Sequence, residues 1–198
     1  MIHIGIIQFA EHGSLDNCRI GFIEGLAEEG FVEGENVVFD VQNAQADTAI
    51  SAQIADVMAG KYDMICAIAT PAAMAAFNAA EDAGIPVIYT AVSDPVSAML
   101  ASADGKNPGN ITGTSDALNT SFIMDMMFAQ NPDVAKVGLL YSLSEPNSTK
   151  PIADAKAYLD AKGIEYVEQT ANTNDEVVAA ASALIADGVD AVFTPTDN

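Results

Sequence analysis

The chain has 198 residues, half of them hydrophobic, which is enough for one domain of ordinary size or two small ones. Its 28 acidic residues against 7 basic ones give a formal net charge of −21. That balance argues against nucleic acid and anionic membrane surfaces as partners, because phosphates need basic patches. No apolar run approaches the ~18 residues of a membrane span; 64–80 comes closest and is broken by Thr70-Pro71 and Asn78. The two cysteines, Cys18 and Cys66, form no C-x-x-C pair, and His3 and His12 build no metal cluster. Buried free thiols are expected, with no metal and no cofactor.

Residues 2–8 read as a strand, and the loop Phe9–Ser14 leads into a helix over 14–29. Leu15, Ile20, Phe22, Ile23 and Leu26 approximate one face of it, and Gly30 and Gly34 stop it. Strand 36–41 alternates. Asp47 is the expected N-cap of a helix over 48–59 that ends at Gly60. After strand 63–68, Thr70-Pro71 opens a helix to Ala83, with Thr70 as N-cap and Pro71 at the first helical position. Gly84 ends that helix, and Pro86–Tyr89 is the next strand. Residues 91–118 break the rhythm: Asp94-Pro95 starts a turn, 104–110 is a turn-rich loop, and 111–114 is a short strand-like run.

A first lobe over 1–114 and a second over 115–198 are expected. The second begins with a helix over 118–130 carrying Met124, Met126 and Met127, a stripe read as core packing. Strand 136–141, helix 147–161, strand 164–169, helix 175–186 and strand 190–194 follow, punctuated by Gly163 and Gly188. The order over 136–195 thus repeats the order over 3–71. Each copy opens on an apolar strand with a glycine inside it, Ile4-Gly5-Ile6-Ile7 and Val137-Gly138-Leu139-Leu140. Each ends in Thr-Pro, at Thr70-Pro71 and Thr194-Pro195.

Repeated βαβαβ units predict an α/β protein of two Rossmann-like (flavodoxin-like) lobes with parallel sheets. The second lobe, with three strands, is expected to be incomplete and the chain to be a piece of a longer protein. The N-terminus has no basic start or small-residue cleavage site. Two expectations remain open: a cytoplasmic protein, or one whose export signal lies outside this sequence.

Ligands of such sheets sit outside the carboxyl ends of the strands. The loops there, 8–14, 69–71, 91–95, 141–148 and 194–198, carry Gln8, Glu11, Ser14, Thr70, Ser93, Asp94, Ser142, Ser144, Asn147, Ser148, Thr194, Thr196 and Asp197. Helix N-termini and hydroxyls suit a carboxylate, and Asp94 or Asp197 suits an ammonium group, so the ring of loops fits a zwitterion such as an amino acid. The alternative is that each Ser, Thr and Asp caps its own helix. No G-x-G-x-x-G, Walker A or G-x-S-x-G motif is present. Glu11-His12 is the one acid–base pair in a loop, and it competes with a helix-start residue bonded to backbone.

These same loops resemble one class of ABC-transporter substrate-binding proteins. Glu11-His12-Gly13-Ser14-Leu15-Asp16 is similar to that family's E-H-P-A-L-D loop, with Gly13-Ser14 in place of Pro-Ala. Thr70-Pro71-Ala72-Ala73, Ala91-Val92-Ser93-Asp94-Pro95-Val96, Asn107–Gly113, Tyr141–Ser148 and Thr194–Asn198 resemble its further motifs, in order. The resemblance implies a periplasmic-binding-protein-like fold whose two lobes close on a small solute. That solute would be an amino acid, and an aromatic one in some relatives. It implies no enzyme activity, and it implies delivery to an ABC permease and ATPase. It also implies an extracytoplasmic location, in the periplasm or lipid-anchored at the cell surface. Carried over by position, the ligand-binding candidates are Gln8, Thr70, Ser93, Asp94, Tyr141, Asn147, Ser148, Thr194 and Asp197. Phe9 and Tyr141 are the residues that would stack on an aromatic ligand. Two other readings stay open: a ligand-sensing domain with the same fold, and an α/β enzyme using Glu11-His12 or Asp94.

Overall fold

The computed structural model describes residues 1–197. The chain divides into two compact units, Met1–Asp116 and Ala117–Asp197.

The first unit holds strands β1 (Ile2–Gln8), β2 (Val37–Asn43), β3 (Met64–Ile68), β4 (Val87–Val92) and β5 (Ile111–Ser115) in one parallel sheet of order β2-β1-β3-β4-β5. Its helices are α1 (Gly13–Glu28), α2 (Thr48–Ala59) and α3 (Thr70–Ala80). Ile4, Ile6, Ile7, Ile65, Cys66, Ala67 and Ile68 are all buried, so the central strands read as unbroken apolar runs because helices cover both faces. Gly5 faces α2: a Cβ there would lie 2.6 Å from Met58 Sδ and 3.2 Å from Tyr62 Cδ2. Alternation therefore turns Ile4, Ile6 and Gln8 towards α1.

Only part of the expected face of α1 is inside. Leu15 is buried and Phe22, Ile23 and Leu26 pack half-buried on the core, but Ile20 is 43% exposed. Five residues are about 140° around a helix of 3.6 residues per turn, which puts Ile20 well away from Leu15. Asp47 caps α2 as expected, its Oδ1 accepting from Ala49 N at 2.7 Å and Ile50 N at 3.0 Å.

The start of α3 differs from the sequence expectation. Thr70 is not the N-cap but the first helical residue; Ala69 occupies the cap position at φ 84°, ψ 155°, with no side-chain cap bond. The reason is tertiary. Ala69 N still donates to Thr90 O at 3.1 Å, so the backbone stays in the sheet one residue longer and must then turn sharply. An L-residue rarely adopts that conformation, and backbone strain of this kind costs about 1–3 kcal/mol.

The second unit has strands β6 (Lys136–Tyr141), β7 (Glu165–Thr170) and β8 (Ala191–Phe193) in a parallel sheet of order β7-β6-β8. Its helices are α4 (Thr120–Gln130), α5 (Thr149–Lys162) and α6 (Asn174–Ala186). The helix expected over 147–161 is split: Pro146–Ser148 forms a single 3-10 turn before α5 begins. Val137, Leu139, Met124, Ile152, Ala155, Leu159 and Phe193 make the core. The methionine stripe divides by helical angle: Met124 is buried and Met127 half-buried, whereas Met126 is exposed. Gly138 plays the part of Gly5, facing Leu184 of α6, whose Cδ1 and Cδ2 lie 3.0 and 3.1 Å from where a Cβ would be.

Candidate functional site

In the first unit the carboxyl ends of β1, β3 and β4 bring Gln8, Phe9, Thr70, Ser93 and Asp94 to one sheet edge; Gln8 and Ile68 are register partners and Phe9 N donates to Ile68 O. Their roles there differ. Gln8 is buried and its amide is fully used: Nε2 donates to Ala10 O (2.8 Å) and Asp16 Oδ1 (2.9 Å), and Oε1 accepts from Arg19 Nε (3.0 Å). These bonds tie the β1–α1 loop to the first turns of α1. The Gln8 bond, then the Arg19 bond, hold the Asp16 carboxyl below its ordinary value. Phe9 is buried in the core and shows no open ring face for stacking.

Asp94 caps its own turn: Oδ1 accepts from Val96 N and Ser97 N, and Oδ2 from Ser97 Oγ at 2.6 Å. Ser93 is buried, and its carbonyl accepts from Ser115 Oγ. His12 caps α1, Nδ1 accepting from Ser14 N at 3.2 Å, so the backbone-bonded reading of Glu11-His12 is the one observed.

Thr70 stands apart. It is 2% exposed and opens α3. A helix leaves its first N–H groups without intrahelical partners. Here Pro71 has no N–H, Ala73 N reaches Ala69 O, and no side chain caps the end, so the N–H groups of Thr70 and Ala72 point outward beside the hydroxyl. The strained Ala69 is what turns this donor set out of the sheet.

In the second unit the ends of β6 and β8 gather Asn147, Ser148 and Asp197. Asp197 Oδ2 accepts from Ser142 N at 2.6 Å, and Oδ1 is bonded by the Ser148 hydroxyl. Burial pushes the Asp197 carboxyl up, against the lowering effect of those two bonds. Asn147 Nδ2 donates to Thr196 O at 3.0 Å and to Glu145 Oε2 at 3.3 Å. Thr194 is exposed at the end of β8. Tyr141 is turned elsewhere: its hydroxyl donates to Glu168 Oε2 on β7 (2.9 Å), which also takes Lys156 Nζ of α5 at 2.7 Å. Lys156, by its bond first, holds Glu168 below its ordinary value.

Two members of the cluster were not among the polar residues singled out at the strand ends. Glu145 is 4% exposed, and Asn172, in the loop after β7, accepts from Ser142 Oγ at 3.0 Å. Asn172 lies at a strand's carboxyl end like the rest, and that position alone is the signal that would have found it. Among the described residues no group of three or more His, Cys, Asp or Glu could hold a metal ion, and no helix is long and apolar enough to cross a membrane.

Residues 3–198 match the family model described as ABC transporter substrate binding protein. The chain belongs to that family. A tyrosine-binding protein of Clostridioides difficile (strain R20291) is 40% identical over 197 residues, covering 99% of this chain and 56% of the relative. A Streptococcus pneumoniae ABC domain solved in complex with L-Trp superposes with a TM-score of 0.92 at 34% identity, over 100% of this chain and 66% of that one. A conserved domain protein from Vibrio cholerae gives 0.91 at 34% identity, over 96% and 64%. The chain therefore spans between about half and two thirds of the length of these relatives. A leucine-binding protein of Thermotoga maritima, at 14% identity and a TM-score of 0.71, shares the fold. The family and these relatives are substrate-binding proteins rather than enzymes, and the parallel α/β units are of the periplasmic-binding-protein type.

Proposed function

We propose that this chain carries the solute-recognition region of an ABC importer's binding component, and that its solute is an amino acid, aromatic in side chain. The observation that carries the reading is the uncapped start of α3. No side chain caps it, so free backbone N–H groups lie beside the buried Thr70 at the positive end of a helix dipole. That donor set is complementary to a carboxylate. Within the second unit, Asp197 and its neighbours form a cluster suited by itself to a positively charged group. The relatives that bind tyrosine and tryptophan support an aromatic side chain. Binding alone does the work: the solute favours the state of the protein it contacts best, and permease and ATPase subunits respond to that state. The corresponding location is outside the cytoplasm, in the periplasm or on a lipid anchor.

Thr70→Val tests the reading, because it keeps the shape and removes only the hydroxyl. A hydrogen bond to a charged group is worth about 1.5–3 kcal/mol, so affinity for L-tyrosine or L-tryptophan should fall about 10- to 150-fold. Thermal stability without ligand, measured alongside, separates a loss of binding from a loss of folding. Unchanged affinity in the variant would remove α3 as the carboxylate site. Failure of every amino acid to raise the melting temperature of the parent chain would remove the solute class.

A further inference from the structure

Backbone strain is unevenly spread over the fold. Among the described residues, five that are not glycine hold a left-handed φ: Gln45 (54°), Ala46 (60°), Ala69 (84°), Ala91 (55°) and Met99 (58°). All five lie in the first unit, at or just beyond the carboxyl ends of β2, β3 and β4. Past the ends of α1, α3, α5 and α6, where the chain turns back towards a strand, the same φ belongs to glycine, at Gly30, Gly84, Gly163 and Gly188. A side chain makes this conformation costly, and glycine removes the cost. In the first unit the cost is thus kept along the edge that carries the solute candidates.

Two of the five are tied together. Ala69 N donates to Thr90 O at 3.1 Å, so the strained end of β3 is bonded to the residue just before the strained Ala91. Ala69 is 1% exposed, and its carbonyl accepts from Ala73 N at 3.0 Å, which fixes the residue from both sides. Its ψ of 155° puts it in a region that is almost the preserve of glycine. Ala91 lies where the register of β4 against β5 shifts between Tyr89 and Val92, an irregularity of the kind that re-aims a strand. Beyond it Ser93 O accepts from Ser115 Oγ, and Val92 O accepts from Asp116 N, each at 3.2 Å. The first alanine turns the Thr70 and Ala72 N–H groups out of the sheet. The second sets buried Ser93 at the end of the neighbouring strand.

We propose that Ala69 and Ala91 are positioning residues, whose methyl groups strain the backbone and in doing so stiffen the binding edge. The inference rests on the amino-acid reading for the identity of the solute. Glycine at either position would relieve the strain and let the next peptide group swing. Alanine leaves that peptide few alternatives, so the donors stand in place before the solute arrives. A donor set formed in advance loses less freedom on binding. Stability and affinity therefore run in opposite directions at these two residues, which is the mark of strain held for function. A residue with a purely structural role would not separate them.

The test is Ala69→Gly, with Ala91→Gly alongside. Ala69→Gly should raise the melting temperature of the empty chain, because relief of strain at a positive φ outweighs the extra freedom of glycine when unfolded. Order parameters of the Thr70 and Ala72 amides, from NMR relaxation, should fall. Affinity for L-tryptophan, by calorimetry, should fall about 2- to 5-fold, which corresponds to the extra backbone entropy of one glycine. Ala91→Gly should act in the same direction, with the loosening at the Val92 and Ser93 amides. A melting temperature that does not rise overturns the inference, and so do unchanged order parameters. Unchanged affinity in the variants overturns it when the parent binds L-tryptophan. If the parent does not bind L-tryptophan, the amino-acid reading fails by itself, and the other two measurements decide the stiffening. A higher melting temperature with loosened amides then upholds it, and the lack of either overturns it.

Discussion

Gly138→Ala probes the contact that seats α6 on β6. The new methyl would lie 3.0 Å from Leu184 Cδ1, 3.1 Å from Cδ2 and 3.4 Å from Cγ, and Leu184 is fully buried. Overpacking of this kind costs about 1–3 kcal/mol. Replacing a strand glycine by alanine returns about 0.5–1 kcal/mol of backbone entropy, so the net loss should be about 1–2 kcal/mol. Leu184→Ala alone opens a cavity and should cost about 2–5 kcal/mol. In the double variant the new methyl partly fills that cavity, so the two losses should sum to more than is measured, by about 1–2 kcal/mol. Hydrogen exchange of the β6 amides is the suitable assay, because it reads this unit alone even if the two units unfold separately. Additivity within about 0.5 kcal/mol would refute the contact. Gly5→Ala should destabilise the first unit in the same way, because a Cβ there would lie 2.6 Å from Met58 Sδ and 3.2 Å from Tyr62 Cδ2, both on buried side chains.

Asp47→Ala removes two capping bonds and should cost about 1 kcal/mol of stability in the first unit, read by urea denaturation. Burial pushes the Cys66 thiol up to about 12, so a thiol reagent near neutral pH should label half-buried Cys18 in the native chain and reach Cys66 only on unfolding; equal labelling rates would contradict this. Asp197→Asn should change how stability depends on pH. The native carboxyl sits above its ordinary value, so its contribution to stability is full below the unfolded value. That contribution is lost as pH rises through the native value. The variant should therefore gain on the parent as pH rises above the ordinary aspartate value, by melting temperature, and a gap that shrinks as pH rises there would reverse the argument.

The order of elements was legible because its signals are local. Glycines at 60, 84, 163 and 188 stand where helices end, and the periodicity between them changes from helix to strand. The twin glycines at 5 and 138 marked the repeat, and the structure supplies their reason: each lets a helix side chain, Met58 of α2 or Leu184 of α6, press on the first strand of its sheet. The start of α3 was misread because Thr-Pro is a good local cap, and only the ladder bond from Ala69 to Thr90 shows that the strand runs one residue further. The face of α1 was drawn too wide by including Ile20, which a strict helical angle would have excluded.

The candidate site divides in the same way. Sequence placed polar residues at the carboxyl ends of the strands, since topology and loop position are enough for that. It could not say which of them were spent on their own neighbourhood. Gln8, Asp94 and His12 turn out to hold their loops, Phe9 belongs to the core, and Tyr141 is turned to Glu168. Asn147 keeps an unused acceptor, and the α3 end that Thr70 opens has no side-chain cap. Family, fold class and element order belong to the sequence, because they follow from patterns a few residues long and from motifs in register. The difference between a satisfied and an unsatisfied polar group belongs to the tertiary structure. It depends on partners such as Asn147 and Thr196, which are 49 residues apart in the chain and 3.0 Å apart in space.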